Sequence, residues 1–278
     1  RKRYSYEKNY LSGIETVKKL VDEFDKLSNQ ICTVGVGVPG FSSKETGLVT
    51  NANSLWLNNK SFKKDLEIAL NRKVKLMNDA NCFTLSEAVD GAGKDYQSIF
   101  GIIIGTGFGG ALSYKKEIIE GANQIAGDWG HQPLPYPTKE EIETKINCPS
   151  MNCGRPLCAE QFMSGIGFKD VFNQKNNTNF SSEEIVRLDL NGDPRADLEL
   201  SLYEDRMARL MAVMIGIFDP DAIILGGGMS NIDRFYKNIP PLIPKYTFSN
   251  KVITKVLKNF HGDSSGVRGA AWLWNDAT

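Results

Sequence analysis

Segments with the pattern of a β-strand alternate with segments with the pattern of a helix through the first third of the chain. Apolar residues recur at helical spacing over 12–28, and an apolar run over 31–38 then ends at a Pro-Gly pair. A helix over 62–70, a strand over 73–77 and a helix over about 82–89 repeat this order. Such alternation predicts an α/β fold with a mostly parallel sheet that helices cover.

Glycine-rich turns organise the rest of the chain. Strands are predicted over 98–104 and 111–115, and a run rich in glycine joins them. We place a domain boundary just before the first of these strands. The expected organisation is a small N-terminal domain over 1–96, which a C-terminal helix over 263–278 closes, and a large domain over 97–262.

Two helix starts carry the capping-box pattern, in which Ser is followed three residues later by Glu. Ser12 with Glu15 is one pair, and Ser181 with Glu184 is the other. The longest predicted helix covers 196–218, where apolar residues again recur at helical spacing.

Charge and hydropathy exclude several classes of partner. The 278 residues contain 33 Lys and Arg against 33 Asp and Glu, so that the net charge is zero and a strong footprint for nucleic acid is excluded. No apolar run approaches the ~20 residues that a membrane span needs. We therefore expect a cytoplasmic protein with no nucleic-acid or membrane partner. The five cysteines, an odd number with no export signal, argue against a disulfide framework.

Asn78 and Asp79 stand where a predicted strand is followed by a helix. In open α/β sheets the carboxyl ends of the strands form the ligand-binding edge. A carboxylate at that edge can take the proton of a substrate hydroxyl, as a general base does in phosphoryl transfer. Alternatively, Asp79 only caps the helix that follows.

Two glycine turns are candidates for contact with a phosphorylated ligand. The turn around Thr106 and Gly107 exposes backbone N–H groups that can bind phosphate, and the glycines at 226–228 let the backbone approach a ligand closely. Both are also compatible with plain turns between or after strands. The lysine of a P-loop is absent from both.

A carboxylate, an imidazole and three thiols lie close together in the sequence. Asp128 and His131 are flanked by glycines, and Cys148, Cys153 and Cys158 follow. Three thiolates and one imidazole make a closed tetrahedral zinc set, which is typical of a structural site. The spacing is looser than that of common zinc motifs, so unpaired buried cysteines are the alternative.

Read together, the segments resemble the ROK family of sugar kinases and repressors, most closely its bacterial fructokinases. The resemblance covers nearly the whole chain. The matching segments are TVGVGVPG (33–40), NANSLWLN (51–58), NDANCFTLSEAVDGA (78–92), IIGTGFGG (103–110), AGDWGHQPLPYP (126–137), CGRPLCAEQFMSGIGF (153–168), DPDAIILGGGMSNIDRFY (219–236) and HGDSSGVRGAAWLW (261–274).

The resemblance implies a two-domain actin/hexokinase-like (ribonuclease H-like) fold with the active site in the cleft between domains. It also implies ATP and Mg²⁺ as cofactors, a structural Zn²⁺ and a homodimer. It assigns roles to residues as follows: general base, Asp79; sugar binding, Asn78, Asp128, His131 and Glu160; ATP binding, Thr106, Gly107, Gly226 and Gly227; zinc binding, His131, Cys148, Cys153 and Cys158.

Three departures from the family pattern stand out. The N-terminal strand pair with its DxGGT motif, which serves Mg²⁺ and ATP phosphate, is absent, so we expect an incomplete first sheet. Asp128 stands where the family has Glu, which shortens the side chain by one methylene. In the cysteine segment, Met151 replaces the first cysteine and Leu157 replaces a glycine. Either Cys148 supplies the missing thiolate through a longer loop, or the protein provides three zinc ligands.

The leading functional prediction is an ATP-dependent kinase that phosphorylates D-fructose at the 6-hydroxyl, with mannose or glucose as further substrates. The alternative within the family is an N-acetylglucosamine or N-acylmannosamine kinase. A non-catalytic sugar-binding form is a further alternative, given the absent strand pair. A transcriptional regulator is disfavoured, because the sequence has neither a helix-turn-helix segment nor a basic patch.

Overall fold

The computed structural model describes residues 2–144, 146–149 and 153–274. Its strands are β1 (Val34–Val38), β2 (Phe41–Ser42), β3 (Val49–Thr50), β4 (Val74–Asn78), β5 (Ser98–Ile104), β6 (Phe108–Tyr114), β7 (Glu117–Ile118), β8 (Ala222–Gly226) and β9 (Lys255–Lys258). Its helices are α1 (Tyr10–Ser28), α2 (Phe62–Leu70), α3 (Asp79–Val89), α4 (Lys139–Ile142), α5 (Ala159–Met163), α6 (Gly165–Asn176), α7 (Ser182–Leu190), α8 (Pro194–Phe218), α9 (Arg234–Asn238) and α10 (Ser265–Trp272).

The first sheet is a parallel pair of strands. β1 and β4 run in register from Val34 opposite Val74 to Val38 opposite Asn78. A small antiparallel hairpin, β2 with β3, follows β1. Trp56 packs between this region and α1, and a Cβ on Gly13 would lie 3.0 Å from its ring, so glycine there lets the helix approach the indole.

The second sheet has five strands in the order β7-β6-β5-β8-β9. β5 is antiparallel to β6 and parallel to β8, and β8 is parallel to β9. The main hydrophobic core lies between this sheet and the helices that cover it, with Phe100 on β5, Phe162 on α5 and Tyr203 on α8 almost completely buried. Parallel β5 and β8 therefore present their carboxyl ends at one edge, as a ligand-binding edge requires.

Helices α3 and α10 cross at very short range and connect the two sheets. α10 packs on α3 and on β1, while α3 also packs on β5 and β6. A Cβ on Gly269 would lie 1.6 Å from the carbonyl oxygen of Cys82, and one on Gly35 would lie 1.8 Å from that of Ala270. Only glycine permits this approach, so a side chain at either position would separate the helices or displace the strand.

Most predicted elements are confirmed, with corrections at their ends. The helix over 62–70 and the strand over 98–104 have the bounds that the sequence predicts. The capping box of Ser181 and Glu184 is present, but the one at Ser12 was wrong, because Asn9 caps α1 and accepts the Ser12 N–H at 2.9 Å. The first sheet holds only β1 and β4 among the described residues, and the division at residue 96 remains a prediction. No helix in the described part of the chain is long and apolar enough to span a membrane.

Candidate active site

The turn from β4 into α3 fixes the orientation of two candidate residues. Asn78 is the N-cap of α3, and its Oδ1 accepts the Ala80 N–H at 2.9 Å and the Asn81 N–H at 3.3 Å. Its amide nitrogen donates to the Gly40 carbonyl at 3.1 Å, which anchors the cap to the end of β1. The prediction that Asp79 acts only as the cap was therefore wrong, because Asn78 has that role.

Asp79 is the first residue of α3, and its carboxylate opens into a cleft. Its Oδ1 accepts the Ala80 N–H at 2.8 Å. Asp79 is exposed to solvent, and the neighbouring protein partly desolvates its carboxylate. This partial removal from bulk water raises the pKa of Asp79 from its ordinary value of 3.8, and backbone hydrogen bonds oppose the shift.

The cleft brings together elements that are far apart in the sequence. Its volume is ≈ 190 Å³. The residues that line it come from α3, the end of β5, the segment after β8, the segment after β9 and the start of α10: Asp79, Phe83, Ile103, Gly227, Ser230, Asn231, Asn259, Gly262, Asp263 and Gly266.

The turn at 226–228 forms one wall of this cleft. Gly227 has φ +82°, and a Cβ there would lie 2.4 Å from the Ile104 carbonyl oxygen at the end of β5. A Cβ on Gly226 would lie 2.3 Å from the ring of Phe83 on α3. Both glycines are therefore required by close approach, and they bring the backbone of the turn next to the helix that begins at Asp79.

The turn at 105–107 lies at the same sheet edge but does not line the cleft. Register pairs Ile103 with Gly226, so the turns after β5 and β8 are neighbours. Thr106 is exposed at the tip. Gly107 lies beside Glu160 instead, and a Cβ on this glycine would be 3.0 Å from the carboxylate.

Glu160 connects this turn to the cysteine segment. It is buried on α5, and its Oε2 accepts the Phe108 N–H at 3.0 Å. Its Oε1 accepts the Cys148 thiol at 3.7 Å. One carboxylate therefore holds both the glycine turn and the segment that carries the candidate zinc ligands.

Asp128 and His131 lie on the segment next to Glu160. The Glu160 N–H donates to the Gly130 carbonyl at 2.7 Å, which ties the two segments together. Asp128 is half-buried, and burial raises its pKa. The Glu160 carboxylate adds to this rise, whereas His131 and Arg155 oppose it. The structure thus places the predicted sugar-binding residues Asp128, His131 and Glu160 in one group.

The predicted metal ligands converge. One ligand atom from each of His131, Cys148, Cys153 and Cys158 lies within 4.8 Å of the other three. Four donors about 2.3 Å from one Zn²⁺ would be about 3.8 Å apart, so the set fits a tetrahedral zinc ion. His131 Nδ1 is buried without a hydrogen-bond partner among the described residues, as a donor atom awaiting a ligand would be.

The departures from the family's cysteine pattern have different outcomes. Cys148 lies in the cluster, in agreement with the longer-loop prediction. Met151 lies outside the described residues. Leu157, which replaces a glycine, has φ +56°, so this position requires the left-handed backbone that glycine tolerates and leucine adopts at a cost of about 1 kcal/mol.

The sequence analysis missed several polar residues near the candidate site. Ser230 and Asn259 line the cleft, and Asn259 Oδ1 is buried without a partner in the described part of the chain. Asn81 lines a second, smaller cavity beside Asn78. Asn81 ends the Asn-Asp-Ala-Asn segment, and its position two residues after Asp79 is the signal in the sequence that points to it.

Comparison with known proteins gives the same family by two routes, a family model and individual relatives. The family model described as "ROK family" matches residues 1–277. The N-acetyl-D-glucosamine kinase of Vibrio cholerae is 36% identical over 265 residues, which is 95% of this chain and 88% of the relative. The N-acetyl-D-glucosamine kinase of Haemophilus influenzae is 35% identical over 268 residues, 96% of this chain and 88% of the relative.

Solved structures agree in fold. The ROK hexokinase from Thermus thermophilus superposes with a TM-score of 0.83 at 21% identity, covering 97% of this chain and 89% of that one. The ROK glucokinase from Streptomyces griseus, solved with glucose and AMPPNP, gives 0.79 at 21% identity and the same coverage. The two sheets, joined by α3 and α10, have the actin/hexokinase-like α/β fold. The chain belongs to the ROK family.

Proposed function

We propose that this chain is an ATP-dependent sugar kinase that transfers the γ-phosphoryl group of MgATP to the 6-hydroxyl of N-acetyl-D-glucosamine. The observation that carries the proposal is the cleft in which the Asp79 carboxylate faces the Gly227 turn. The curated relatives described above, from Vibrio cholerae and Haemophilus influenzae, support the amino sugar over fructose as the substrate. The fructokinase prediction thus gives way to the alternative within the family.

Asp79 acts as the general base in this proposal. Its carboxylate accepts the proton of the sugar 6-hydroxyl while the oxygen forms a bond to the γ-phosphorus, and the bond from that phosphorus to ADP breaks. Asn78 caps the helix, and Asp79 uses its Oδ1 to accept the Ala80 N–H, so its Oδ2 is the oxygen that would take the proton. Phosphoryl transfer depends mainly on positioning and on neutralisation of charge, and the Mg²⁺ that arrives with ATP shares in the second.

The nucleotide is expected at the carboxyl ends of β5 and β8. Backbone N–H groups around Thr106 and Gly107 would bind phosphate oxygens, and Gly226 and Gly227 would lie beside the nucleoside. The parallel register of the two strands supports this assignment, because it makes the two turns neighbours.

The sugar is expected between Asp79 and the group formed by Asp128, His131 and Glu160, with Asn78 as a further contact. Carboxylates accept hydrogen bonds from sugar hydroxyls, and the imidazole can donate one. His131, Cys148, Cys153 and Cys158 would hold Zn²⁺ as a closed structural site that fixes this segment. The two-domain organisation and a homodimer belong to the same proposal.

The test is sugar-dependent ADP release by the full chain with MgATP. N-acetylglucosamine, N-acetylmannosamine, glucose, mannose and fructose would each be titrated, and kcat/KM compared. The proposal expects the highest kcat/KM with N-acetylglucosamine. If kcat/KM is highest with fructose, the fructokinase prediction is restored. If none of the five sugars increases ADP release, kinase activity of this chain is refuted.

A further inference from the structure

Glu87 is a fully buried carboxylate on α3 that binds a distant part of the chain. Its Oε2 accepts the Ala92 N–H at 2.9 Å and the Phe260 N–H at 3.0 Å. Its Oε1 accepts the Ser265 hydroxyl at 2.7 Å and the His261 N–H at 3.4 Å. One side chain thus joins α3 to segment 259–265, which runs from the end of β9 to the start of α10.

The partners of Glu87 match a carboxylate and no other side chain of similar size. All four of them donate, and three are backbone N–H groups, which cannot accept a hydrogen bond. A buried carboxylate is costly unless such donors compensate for the lost water. An apolar side chain would avoid that cost, so the charge at this position indicates that the attachment of segment 259–265 has a role of its own.

The segment that Glu87 holds forms part of the wall of the cleft. The residues of this segment that line the cleft are Asn259, Gly262 and Asp263. The Asn259 amide nitrogen donates to the Ser230 hydroxyl at 3.1 Å, in the segment after β8. Two consecutive residues therefore attach the wall to opposite sides, since Asn259 binds Ser230 and Phe260 binds Glu87.

This attachment connects the two sides of the cleft. Asp79 begins the helix that carries Glu87, and Gly227 lies three residues before Ser230. Segment 259–265 is bonded to both, so its position sets the separation between the Asp79 carboxylate and the turn at Gly227. The Glu87 carboxylate is the buried group that fixes this segment to the Asp79 side.

A second link between α3 and the same segment lies nearer the surface. The Asp90 carboxylate pairs with His261 Nε2 at 2.9 Å and with the Arg268 guanidinium. These groups are partly exposed, and water can replace an ion pair at such a position at little cost. The buried contacts of Glu87 are therefore the stronger of the two links.

We infer that Glu87 is a positioning residue for phosphoryl transfer, which holds the nucleotide side of the cleft at its distance from Asp79. This inference rests on the proposed function. Glu87 acts through segment 259–265 and touches neither substrate. Loss of its carboxylate weakens nucleotide binding and slows transfer. The predicted sugar contacts Asp128 and His131 lie on another segment and keep their geometry.

The primary test is Glu87→Gln in the full chain. The amide has nearly the same shape, but its NH₂ group must face donors. We expect kcat/KM for MgATP to fall about 10-fold or more, since misplacement of a reacting group by ~1 Å can cost ~100-fold. KM for N-acetylglucosamine is expected to stay at the wild-type value. Calorimetric titration with AMPPNP and Mg²⁺ measures nucleotide binding without turnover, and its affinity is expected to fall as well.

The matched control is Glu199→Gln. Glu199 is also a buried carboxylate, bonded to Arg206 at 2.7 Å on α8, but it does not line the cleft. Its substitution is expected to lower Tm and to leave KM for MgATP and the AMPPNP affinity unchanged. A merely structural role of Glu87 would give this same result.

A milder variant keeps the inference testable if Glu87→Gln fails to fold. Ser265→Ala removes one donor to Glu87 and leaves the carboxylate in place. The AMPPNP affinity is expected to fall about 3-fold, as loss of one hydrogen bond implies.

The outcomes separate the inference from the proposed function. If the wild-type chain phosphorylates N-acetylglucosamine but the variants at Glu87 and Ser265 keep the wild-type KM for MgATP and AMPPNP affinity, the inference is refuted and the proposed function stands. If the wild-type chain phosphorylates no sugar, the proposed function fails, and the AMPPNP affinities still decide whether Glu87 positions the nucleotide side. A fall in both variants, with Glu199→Gln unchanged, supports the inference. An equal fall in Glu199→Gln, or no AMPPNP binding by the wild-type chain, overturns it.

Discussion

The Asn78 side chain caps the helix that begins at Asp79, and its Oδ1 lies 2.9 Å from the Ala80 nitrogen. Because the cap is supplied by the preceding residue, the Asp79 carboxylate keeps its place in the cleft opposite the Gly227 turn. Two consecutive residues thus divide the structural and the chemical role of the β4–α3 turn, and the first prediction tests this division.

Asp79→Asn is expected to lower kcat at least about 100-fold while the sugar still binds. A general base contributes ~10²–10⁴ to the rate, and the amide cannot accept the hydroxyl proton. ADP release measures the first effect, and calorimetric titration with N-acetylglucosamine measures the second. Asp22→Asn, on the exposed face of α1, is the control and should retain full turnover. A kcat within a few-fold of wild type in Asp79→Asn would remove this residue from the role of base.

In the pH profile of kcat, the midpoint of the acid limb is expected at a pH above the ordinary pKa of an aspartate. Partial desolvation by the surrounding protein raises the pKa of Asp79 from 3.8, and the base works only when it is ionised. Activity should therefore be complete above the raised pKa and fall as pH decreases through it. Initial rates at saturating sugar and MgATP, measured from roughly pH 4 to 8, define the acid limb, because this is the range over which a carboxyl with a raised pKa titrates. An acid limb with a midpoint at or below pH 3.8 would contradict the effect of desolvation.

Removal of one thiol from the cluster is expected to lower bound zinc and thermal stability together. A structural zinc site contributes directly to the free energy of folding. Cys153→Ser tests a ligand with the family's spacing, and Cys148→Ser tests the one from the longer loop. Elemental analysis gives the zinc content, and a thermal melt gives Tm. The control is Cys32→Ser, which lies outside the cluster.

The two cysteine variants also separate two ligand sets. Equal loss of zinc in both means that four protein ligands hold the ion. Loss in Cys153→Ser alone means that Cys148 is not a ligand and that the protein provides three. Unchanged zinc in Cys153→Ser would refute the metal site.

Glu141→Gln is expected to destabilise the fold by about 3 kcal/mol, as removal of one partner from a buried ion pair does. Glu141 is 4% exposed and accepts hydrogen bonds from Arg206 at 2.8 Å and from Arg209 at 2.7 Å, so each guanidinium group would lose one of its two carboxylate partners. Arg206 would keep Glu199, and Arg209 would keep Asp205. Urea unfolding measures the change. The neighbouring Glu140→Gln, which removes an exposed pair with Lys175, is the control and should cost less than ~1 kcal/mol.

The ion pairs of Glu141 with Arg206 and Arg209 also predict that the stability of the fold depends on pH. The guanidinium groups and the Thr138 backbone N–H outweigh desolvation and lower the pKa of Glu141 to about 2. A carboxyl with a lowered pKa stabilises the folded state above its unfolded pKa of about 4.3, and this stability is lost as pH falls towards the folded value. The difference in unfolding free energy between wild type and Glu141→Gln should therefore be full at pH 6 and shrink between roughly pH 4 and 2. A constant difference would contradict the ion pair.

Local sequence patterns predicted most helices and strands, but not every helix end. The helix over 62–70 and the strand over 98–104 could be bounded from apolar spacing and flanking turns. The start of α1 could not, because Ser12 and Glu15 form a complete capping box in sequence, yet Asn9 provides the cap. A short cap motif does not say which of two nearby residues the chain will use.

For the candidate site too, the sequence predicted some residues, and others were identified only from the folded structure. Motif resemblance found Asp79, His131 and the cysteines, which the fold brings to the cleft and to one cluster. It did not find Asn259, because a buried amide oxygen without a partner among the described residues is a property of the folded chain and not of its sequence. It also did not show that Glu160 holds the Phe108 N–H, a contact between α5 and β6.

The most direct test of the central claim is a competition between two sugars. N-acetylglucosamine and fructose are supplied at equal concentration with limiting MgATP, and mass spectrometry measures the two sugar phosphates. Their ratio equals the ratio of kcat/KM for the two sugars. The account predicts that N-acetylglucosamine phosphate exceeds fructose phosphate by about 10-fold or more, as one well-made amide contact implies. An excess of fructose phosphate would contradict it.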